Sequence, residues 1–149
     1  MAFLGSLDIA GSALTASRLR MDVISENITN ASVTRTESGG PYRRKMVVYR
    51  QAENGEDFRS AFDGEMGAST EKTPGGVEVA GIVEDQTPFT PVYDPSNPDA
   101  DERGYVRKPN VDVTKEMLDM MAVNRAYTAN INALNAVKSM AGKALEIWK

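Results

Sequence analysis

The 149-residue chain has no cysteine and no histidine. The first absence removes disulfides and thiol nucleophiles, and the second removes imidazole bases. Together they remove most zinc sites, and no cofactor is expected. A chain without cysteine is compatible with an oxidising compartment. No apolar run approaches the roughly 18 residues of a membrane span, so no direct membrane insertion is expected. The opening stretch MAFLGSLDIAGSALTASRLR has no basic leading region, and Asp8 and several serines interrupt its apolar character. It does not read as a cleaved signal peptide. If the protein leaves the cytoplasm, it does so by a route that reads no such signal. An excess of basic charge is also missing. The net charge is −4, so nucleic acid is not an expected partner. The one basic run, Arg43, Arg44 and Lys45, is short and precedes MVVY. It reads as a strand end with a solvated face.

What is present divides into three segments. Over residues 1–31, Leu7, Leu14, Met21 and Ile28 recur every seven, and Ala10, Ser17, Ile24 and Ala31 follow three residues after each. This is an a/d seam of about four heptads. Gly5 and Gly11 weaken its first turns by on the order of 1 kcal/mol each relative to alanine. The helix is therefore marginal alone and needs a partner to cover its stripe. Over 112–149, Met120, Tyr127, Leu134, Ala141 and Trp148 recur every seven, with Asn124, Ile131, Lys138 and Leu145 four residues later. Val123, Val137 and Ala144 widen that face. Asp112 is a candidate N-cap, and Pro109 discourages an earlier start. One helix of roughly ten turns is predicted.

Residues 32–111 hold all seven prolines and nine of the twelve glycines, and the helical period vanishes there. YRRKMVVYRQ (42–51) and GGVEVAGIVE (75–84) have the β-branched and aromatic content of strands. The glycine pairs 39–40 and 75–76 match no phosphate-binding fingerprint and read as turns. The polar stretch 53–74 is a variable loop. The proline-rich stretch 87–110 should run extended over a surface, with a possible short strand at Tyr105–Val106. The predicted fold class is α+β: long terminal helices packed as a coiled-coil-like pair (1–31 with 112–149), and a β-rich, loop-containing middle segment (32–111). The ends are nearly neutral, at −1 and +1, while the middle carries −4. That division suggests a helical pair with an acidic insert projecting from it.

The densest carboxylate cluster is DPSNPDADE, with Asp94, Asp99, Asp101 and Glu102. A calcium loop starting at Asn97 would need glycine sixth and an acid twelfth, where Glu102 and Lys108 stand. Starting at Asp94 puts Pro98 fifth. Both registers fail, leaving a solvated turn whose Asp and Asn side chains bond their own backbone. Nothing predicts a cleft that would tune paired carboxylates for acid–base catalysis. No catalytic residue, cofactor site or metal site is expected.

The seams contain polar groups at or beside the stripe: Asn27, Asn30, Asn124, Asn130, Asn132 and Asn135. A buried Asn sacrifices stability but fixes register and partner number in helical assemblies. The two seams also lie at opposite chain ends, about eighty residues apart, which favours an intermolecular role over a plain two-helix core.

Three stretches carry a family resemblance. SENITNASVTRT (25–36) resembles the N-terminal signature of bacterial flagellar axial proteins, and NVDVTKEMLDMMAVNRAYTANINALNAVKSMAGKALEI (110–147) resembles their C-terminal partner segment. The run VYDPSNPDAD…GYVRKPNVDV narrows the resemblance to a proximal rod protein of the flagellar basal body. It covers 1–50 and 75–149. Thr29 stands where a small alanine is the commoner choice, and its hydroxyl fits without strain. The resemblance implies a structural, non-catalytic subunit of the rod, a periplasm-crossing shaft that passes torque from motor to hook. It implies passage through the flagellar type III export apparatus, and an inner helical layer around the export channel beneath a β-rich outer layer. It also implies terminal segments that are poorly ordered in the free monomer. The implied partners are other rod proteins, the basal-body adaptor at the rod base, and copies of the chain itself.

The expected assembly interface combines both readings. Leu7, Leu14, Met21, Ile24 and Ile28 would pack against Met120, Tyr127, Ile131, Leu134 and Leu145, within one subunit and between neighbours. Asn27 and Asn30, with Asn124, would fix register. Two rivals remain at this point: a soluble coiled-coil adaptor or export chaperone, and an acid-dependent hydrolase built on Asp94, Asp99 and Asp101.

Overall fold

The computed structural model describes residues 2–37, 39–52 and 75–146. The variable loop expected at 53–74 and Trp148 lie outside the described residues. The element order is α1 (Ala2–Thr29), β1 (Lys45–Gln51), β2 (Val77–Glu84), β3 (Thr90–Tyr93), β4 (Tyr105–Lys108) and α2 (Val113–Glu146). The fold is α+β, as the periodicities predict.

Helix α2 starts where its sequence says it should. Asp112 Oδ1 accepts from the Thr114 N–H at 2.9 Å and the Lys115 N–H at 3.3 Å, satisfying two of the helix's orphan donors. Its 34 residues span about 51 Å. Helix α1 ends at Thr29, where Asn30 Nδ2 donates back to the Glu26 carbonyl at 2.9 Å. The Val33 N–H then bonds the Asn30 carbonyl at 3.1 Å, turning the chain away from the helix axis.

The helices pack against each other and run antiparallel. Asn27 near the end of α1 bonds Glu116 near the start of α2, and Ala13 and Ala16 share a groove with Ala122 and Ala126. The deepest seam of α1 is displaced from the heptad of large residues. Ala16, Val23, Ile24 and Asn27 are buried, whereas Leu7, Leu14, Met21 and Ile28 are half-buried. Of the buried set only Ala16 is small, and Ile24 is itself a seam position of the heptad.

Strands β1 and β2 form an antiparallel hairpin from Lys45↔Glu84 to Gln51↔Val77, with a register shift between Val48 and Tyr49. Ala80 of β2 is the extra residue of this bulge. On β1, opposite the bulge, Tyr49 reaches α1, its hydroxyl donating to the Ala16 carbonyl at 3.4 Å. Ser12 Oγ of α1 accepts from the Val77 N–H at 3.1 Å. Gly76, at φ +97°, makes this docking possible, because a Cβ there would run into Ser12 Oγ and approach the Ile9 Cα to 3.3 Å.

The second hairpin pairs β3 with β4, Thr90↔Lys108 to Tyr93↔Tyr105. The sequence reading expected strand near Tyr105–Val106 but missed β3, whose Pro91 argues against a strand; an edge position tolerates it. Val106 of β4, opposite Val92, is buried. The loop at its tip is built as the turn reading expects. Asp94 Oδ1 accepts from the Ser96 N–H at 3.3 Å, Asn97 Oδ1 from the Asp99 N–H at 3.0 Å, and Asp101 Oδ1 from the Arg103 and Tyr105 N–H groups at 2.9 and 2.8 Å. Thr34 Oγ1 donates to Asp99 Oδ2 at 2.7 Å, tying the loop to the connector after α1.

The core is thin. Among the described residues the buried apolar side chains are Ala16, Val23, Ile24, Tyr42, Val106, Pro109 and Val123. Apolar burial is the main favourable term in folding, and here it is concentrated in a short stretch of the helical pair, Tyr42 of the connector and the second hairpin.

Candidate functional site

The most deeply buried polar groups of the described residues are Asn27 and Glu116, 1% and 0% exposed. They come from opposite ends of the chain and meet where the helices converge. The connector brings a third strand of chain to them. The Thr36 N–H bonds the Gly40 carbonyl at 2.8 Å and the Gly39 N–H bonds the Thr36 carbonyl at 2.9 Å, reversing the chain. The Tyr42 N–H then bonds the Val33 carbonyl at 3.1 Å, which lays Tyr42–Lys45 alongside Asn27.

Asn27 uses its whole bonding capacity. Nδ2 donates to the Lys45 carbonyl at 2.9 Å and to Glu116 Oε2 at 3.0 Å. Oδ1 accepts from the Lys45 N–H at 2.9 Å and the Tyr42 hydroxyl at 3.0 Å. Glu116 Oε1 takes Arg44 Nε at 2.7 Å, and the guanidinium also lies 3.5 Å from Asp119 Oδ2 and 3.8 Å from Asp85 Oδ2. Asn110 Oδ1 accepts from the Arg44 N–H at 2.9 Å while its Nδ2 donates to the Asp85 and Thr87 carbonyls at 3.1 and 3.2 Å. One polar node thus joins α1, the connector, β1, the exit of β2 and the start of α2. Among the described residues no buried side-chain polar atom lacks a partner. A fully satisfied network of this kind specifies a unique packing, because every alternative register strands a donor or an acceptor.

The node sets its own electrostatics. Burial first, then the negative charges of Glu26, Glu116 and Glu84, push the Tyr42 phenol up to about 12. The Thr87 hydroxyl and amide, both donating to Asp85 Oδ1, hold the Asp85 carboxyl below the usual carboxylate range. Phenol and carboxylate keep the protonation states that the hydrogen bonds require.

The structure separates the residues singled out in the sequence. Asn27 is at the centre of the node, and Ile24 is buried beside it in the helix seam. Among the described residues, the Asn30 side chain bonds its own helix end. Met120, Tyr127, Ile131 and Leu134 are half-buried along α2, Asn124 is exposed, and Leu145 is 75% exposed. The basic run is not the solvated strand end the sequence suggests. The Arg44 side chain is only 16% exposed, and Arg43 stacks 4.5 Å from the Phe89 ring centroid. Sequence reasoning also passed over Tyr42, Glu116 and Asn110. Glu116 precedes Met120 by four residues and Val123 by seven, so it occupies a seam position of α2. A carboxylate in an apolar seam was the available signal.

The opposite side of α2 is unpartnered. Met117, Leu118, Met121 and Met140 are 49%, 61%, 56% and 62% exposed. Next to Met121 lies an open groove lined by Asn124, Arg125, Thr128, Ala129 and Asn132. Among the described residues no helix is long and apolar enough to cross a membrane.

Comparison with known proteins agrees with this architecture of two terminal helices. The family described as "Flagella basal body rod protein" matches residues 7–35. "Flagellar basal body rod FlgEFG protein C-terminal" matches residues 102–147. These two stretches contain Asn27 and Glu116. The chain is similar to the flagellar basal-body rod protein FlgC of Bacillus subtilis, 48% identical over 148 residues and 97% of each chain. It is similar to the FlgC of Borreliella burgdorferi, 41% identical over 156 residues, covering 99% of this chain and 98% of the relative. It is also 43% identical over 147 residues to that of Salmonella typhimurium, covering 99% of this chain and 98% of the relative. With full-length identities of this size and matching helical ends, the chain belongs to the FlgC family of flagellar basal-body rod proteins.

Proposed function

We propose that the chain lines the flagellar rod with its two terminal helices (1–31 with 112–149) and clothes it with the strand-bearing segment 32–111. It is a structural subunit of the flagellar basal-body rod and associates with other rod components. In this reading the inner helical layer surrounds the export channel, and the assembled shaft carries torque from motor to hook across the periplasm. Subunits arrive through the flagellar type III export apparatus, meet the basal-body adaptor at the rod base, and contact other rod proteins and copies of themselves. The role is mechanical, without catalysis. A coiled-coil adaptor or chaperone is not favoured, since the relatives carry the rod name over nearly their whole length.

The observation that carries this reading is the exposed apolar face of α2, with Leu118, Met121 and Met140 more than half exposed and Met117 close to half. Scattered exposed apolar residues are ordinary, but a face of them along one helix marks a contact surface. Contacts of this kind that join different faces and do not close produce tubes. The assembly residues of the seams (Leu7, Leu14, Met21, Ile24, Ile28, Met120, Tyr127, Ile131, Leu134 and Leu145) would complete their burial on neighbouring helices.

The chain has no cysteine, so Met121→Cys gives a single thiol for cross-linking in isolated basal bodies. The expected result is a covalent product between this chain and a rod component. A chain absent from isolated basal bodies, or present with a Met121→Cys thiol that modifies as freely as in the isolated subunit, would sink the reading.

A further inference from the structure

We propose that Met117, Met121 and Met140 of α2 are a modification site: oxidation of their thioethers by peroxide switches off assembly of the subunit and leaves its fold intact. The inference rests on the assembly reading above for what this face does, but not for where the oxygen goes.

Sulfur is distributed unevenly in this chain. Without cysteine, methionine supplies all of it. Among the described residues, Met117, Met121 and Met140 are exposed, whereas Met21, Met46 and Met120 are half-buried. No described methionine is buried, so the core and the Asn27–Glu116 node are built without sulfur. At 3.6 residues per turn the three exposed thioethers fall within an arc of about 140° on α2. Leu118 lies in the same arc and is also exposed. The apolar character of this face is therefore mostly methionine. The buried seam of α2, with Glu116 and Val123, lies on the other side of the helix.

Methionine suits an adaptable contact, because its side chain is unbranched and polarizable. The same thioether is open to oxidation. Hydrogen peroxide transfers one oxygen atom: the O–O bond breaks, an S–O bond forms, the sulfur gives up two electrons, and water leaves. The product is a polar, chiral sulfoxide. On the free subunit its oxygen is solvated and disturbs no buried group. Against an apolar neighbour the oxygen must lose its water without gaining a donor, which disfavours docking. Oxidation thus acts on the contact and spares the fold. It acts before assembly, because the docked face is shielded from solvent.

Peptide mapping by mass spectrometry, on the purified full-length chain treated with hydrogen peroxide, tests the site. Met117, Met121 and Met140 should oxidise at least about threefold faster than Met21, Met46 and Met120. With those three converted, the denaturant midpoint and the pattern of amide hydrogen exchange should be unchanged. In cells, the Met117→Gln, Met121→Gln double variant places polar groups of similar length on the face. The Met117→Leu, Met121→Leu double variant keeps it apolar and closes it to oxidation. The glutamine variant should enter basal bodies at least about tenfold less than the native chain, and the leucine variant at the native level. Oxidation that begins at Met21 or Met46, or that lowers the denaturant midpoint, would overturn the proposal. A glutamine variant that assembles normally would defeat it too, as would a leucine variant that fails as the glutamine one does. A native chain present in basal bodies beside a normally assembling glutamine variant refutes only the switch. A native chain absent from them refutes the rod reading, and the switch with it.

Discussion

The side-chain amide of Asn27 grips the backbone of Lys45 at both ends: Nδ2 donates to its carbonyl and Oδ1 accepts from its N–H, each at 2.9 Å. A helix has no free ladder with which to pair a strand, and this side chain supplies one. Leucine at position 27 would leave the Lys45 backbone, the Tyr42 hydroxyl and Glu116 Oε2 without that partner. Asn27→Leu is expected to cost about 3–5 kcal/mol of stability, as loss of a buried, charge-linked partner does. Denaturant unfolding of the isolated chain checks this. In cells the variant should impair rod assembly more than export, and normal motility with normal rod length would contradict that.

The Arg44–Glu116 pair should show strong coupling. Removing one member leaves an uncompensated buried charge at a cost of about 3–5 kcal/mol, and replacing both with apolar residues avoids that. The Arg44→Met, Glu116→Leu double variant should therefore be more stable than the sum of the single changes predicts, by about 2 kcal/mol or more. A double-mutant cycle from urea midpoints measures it, and additivity would show that the pair is not coupled.

Alkaline pH should loosen the node through Tyr42. Its phenol is raised from 10.0 to about 12. A group raised on folding contributes stability that is complete below its unfolded pKa, and that contribution is lost as pH rises through the folded value. The Tyr42 contribution is therefore full below pH 10 and disappears between 10 and 12. The stability difference between the native sequence and Tyr42→Phe should be flat up to pH 10 and change only above it. A difference that changes between pH 6 and 9 would rule out this source.

Docking of the first hairpin should depend on Gly76. At φ +97° and against Ser12, alanine suffers both backbone strain and collision. Gly76→Ala is expected to destabilise by about 1–3 kcal/mol. Exchange should rise selectively in β1, β2 and the facing turn of α1, and an unchanged exchange pattern would contradict the docking.

The exposed face of α2 predicts an opposite profile. Met121→Glu touches no buried group, so monomer stability should stay within about 0.5 kcal/mol. Incorporation into basal bodies should fall severely. A variant that assembles normally would remove Met121 from the interface.

Some of this architecture was written plainly in the chain. Asp112 announces the start of α2 because its carboxylate caps the helix, and the β-branched runs at 45–51 and 77–84 form the paired strands. The α1 heptad sets Leu7, Leu14, Met21 and Ile28 beside Ala10, Ser17, Ile24 and Ala31; of these Ile24 is buried, and Ala16, Val23 and Asn27 complete the contact from positions the heptad does not mark. Asn27 was visible as an anomaly, while its partners were not. Arg44 stood in a short basic run whose usual fate is solvation, and Glu116 lies 89 residues from Asn27. No local pattern couples groups that far apart. Only the chain reversal at Thr36–Gly40 and the antiparallel return of α2 bring them within bonding distance.

The bond from Asn27 to Glu116 also makes the fold a test of completeness. The first helix of the chain is keyed to a carboxylate that belongs to the last. A chain ending between residues 109 and 115 would keep the whole of α1 and all four strands yet have no means of closing the node, so damage in one terminal helix is felt in the other. The subunit can present a finished helical base only once the start of α2 has joined α1, so a fragment that stops short of Glu116 differs from the whole chain at that base.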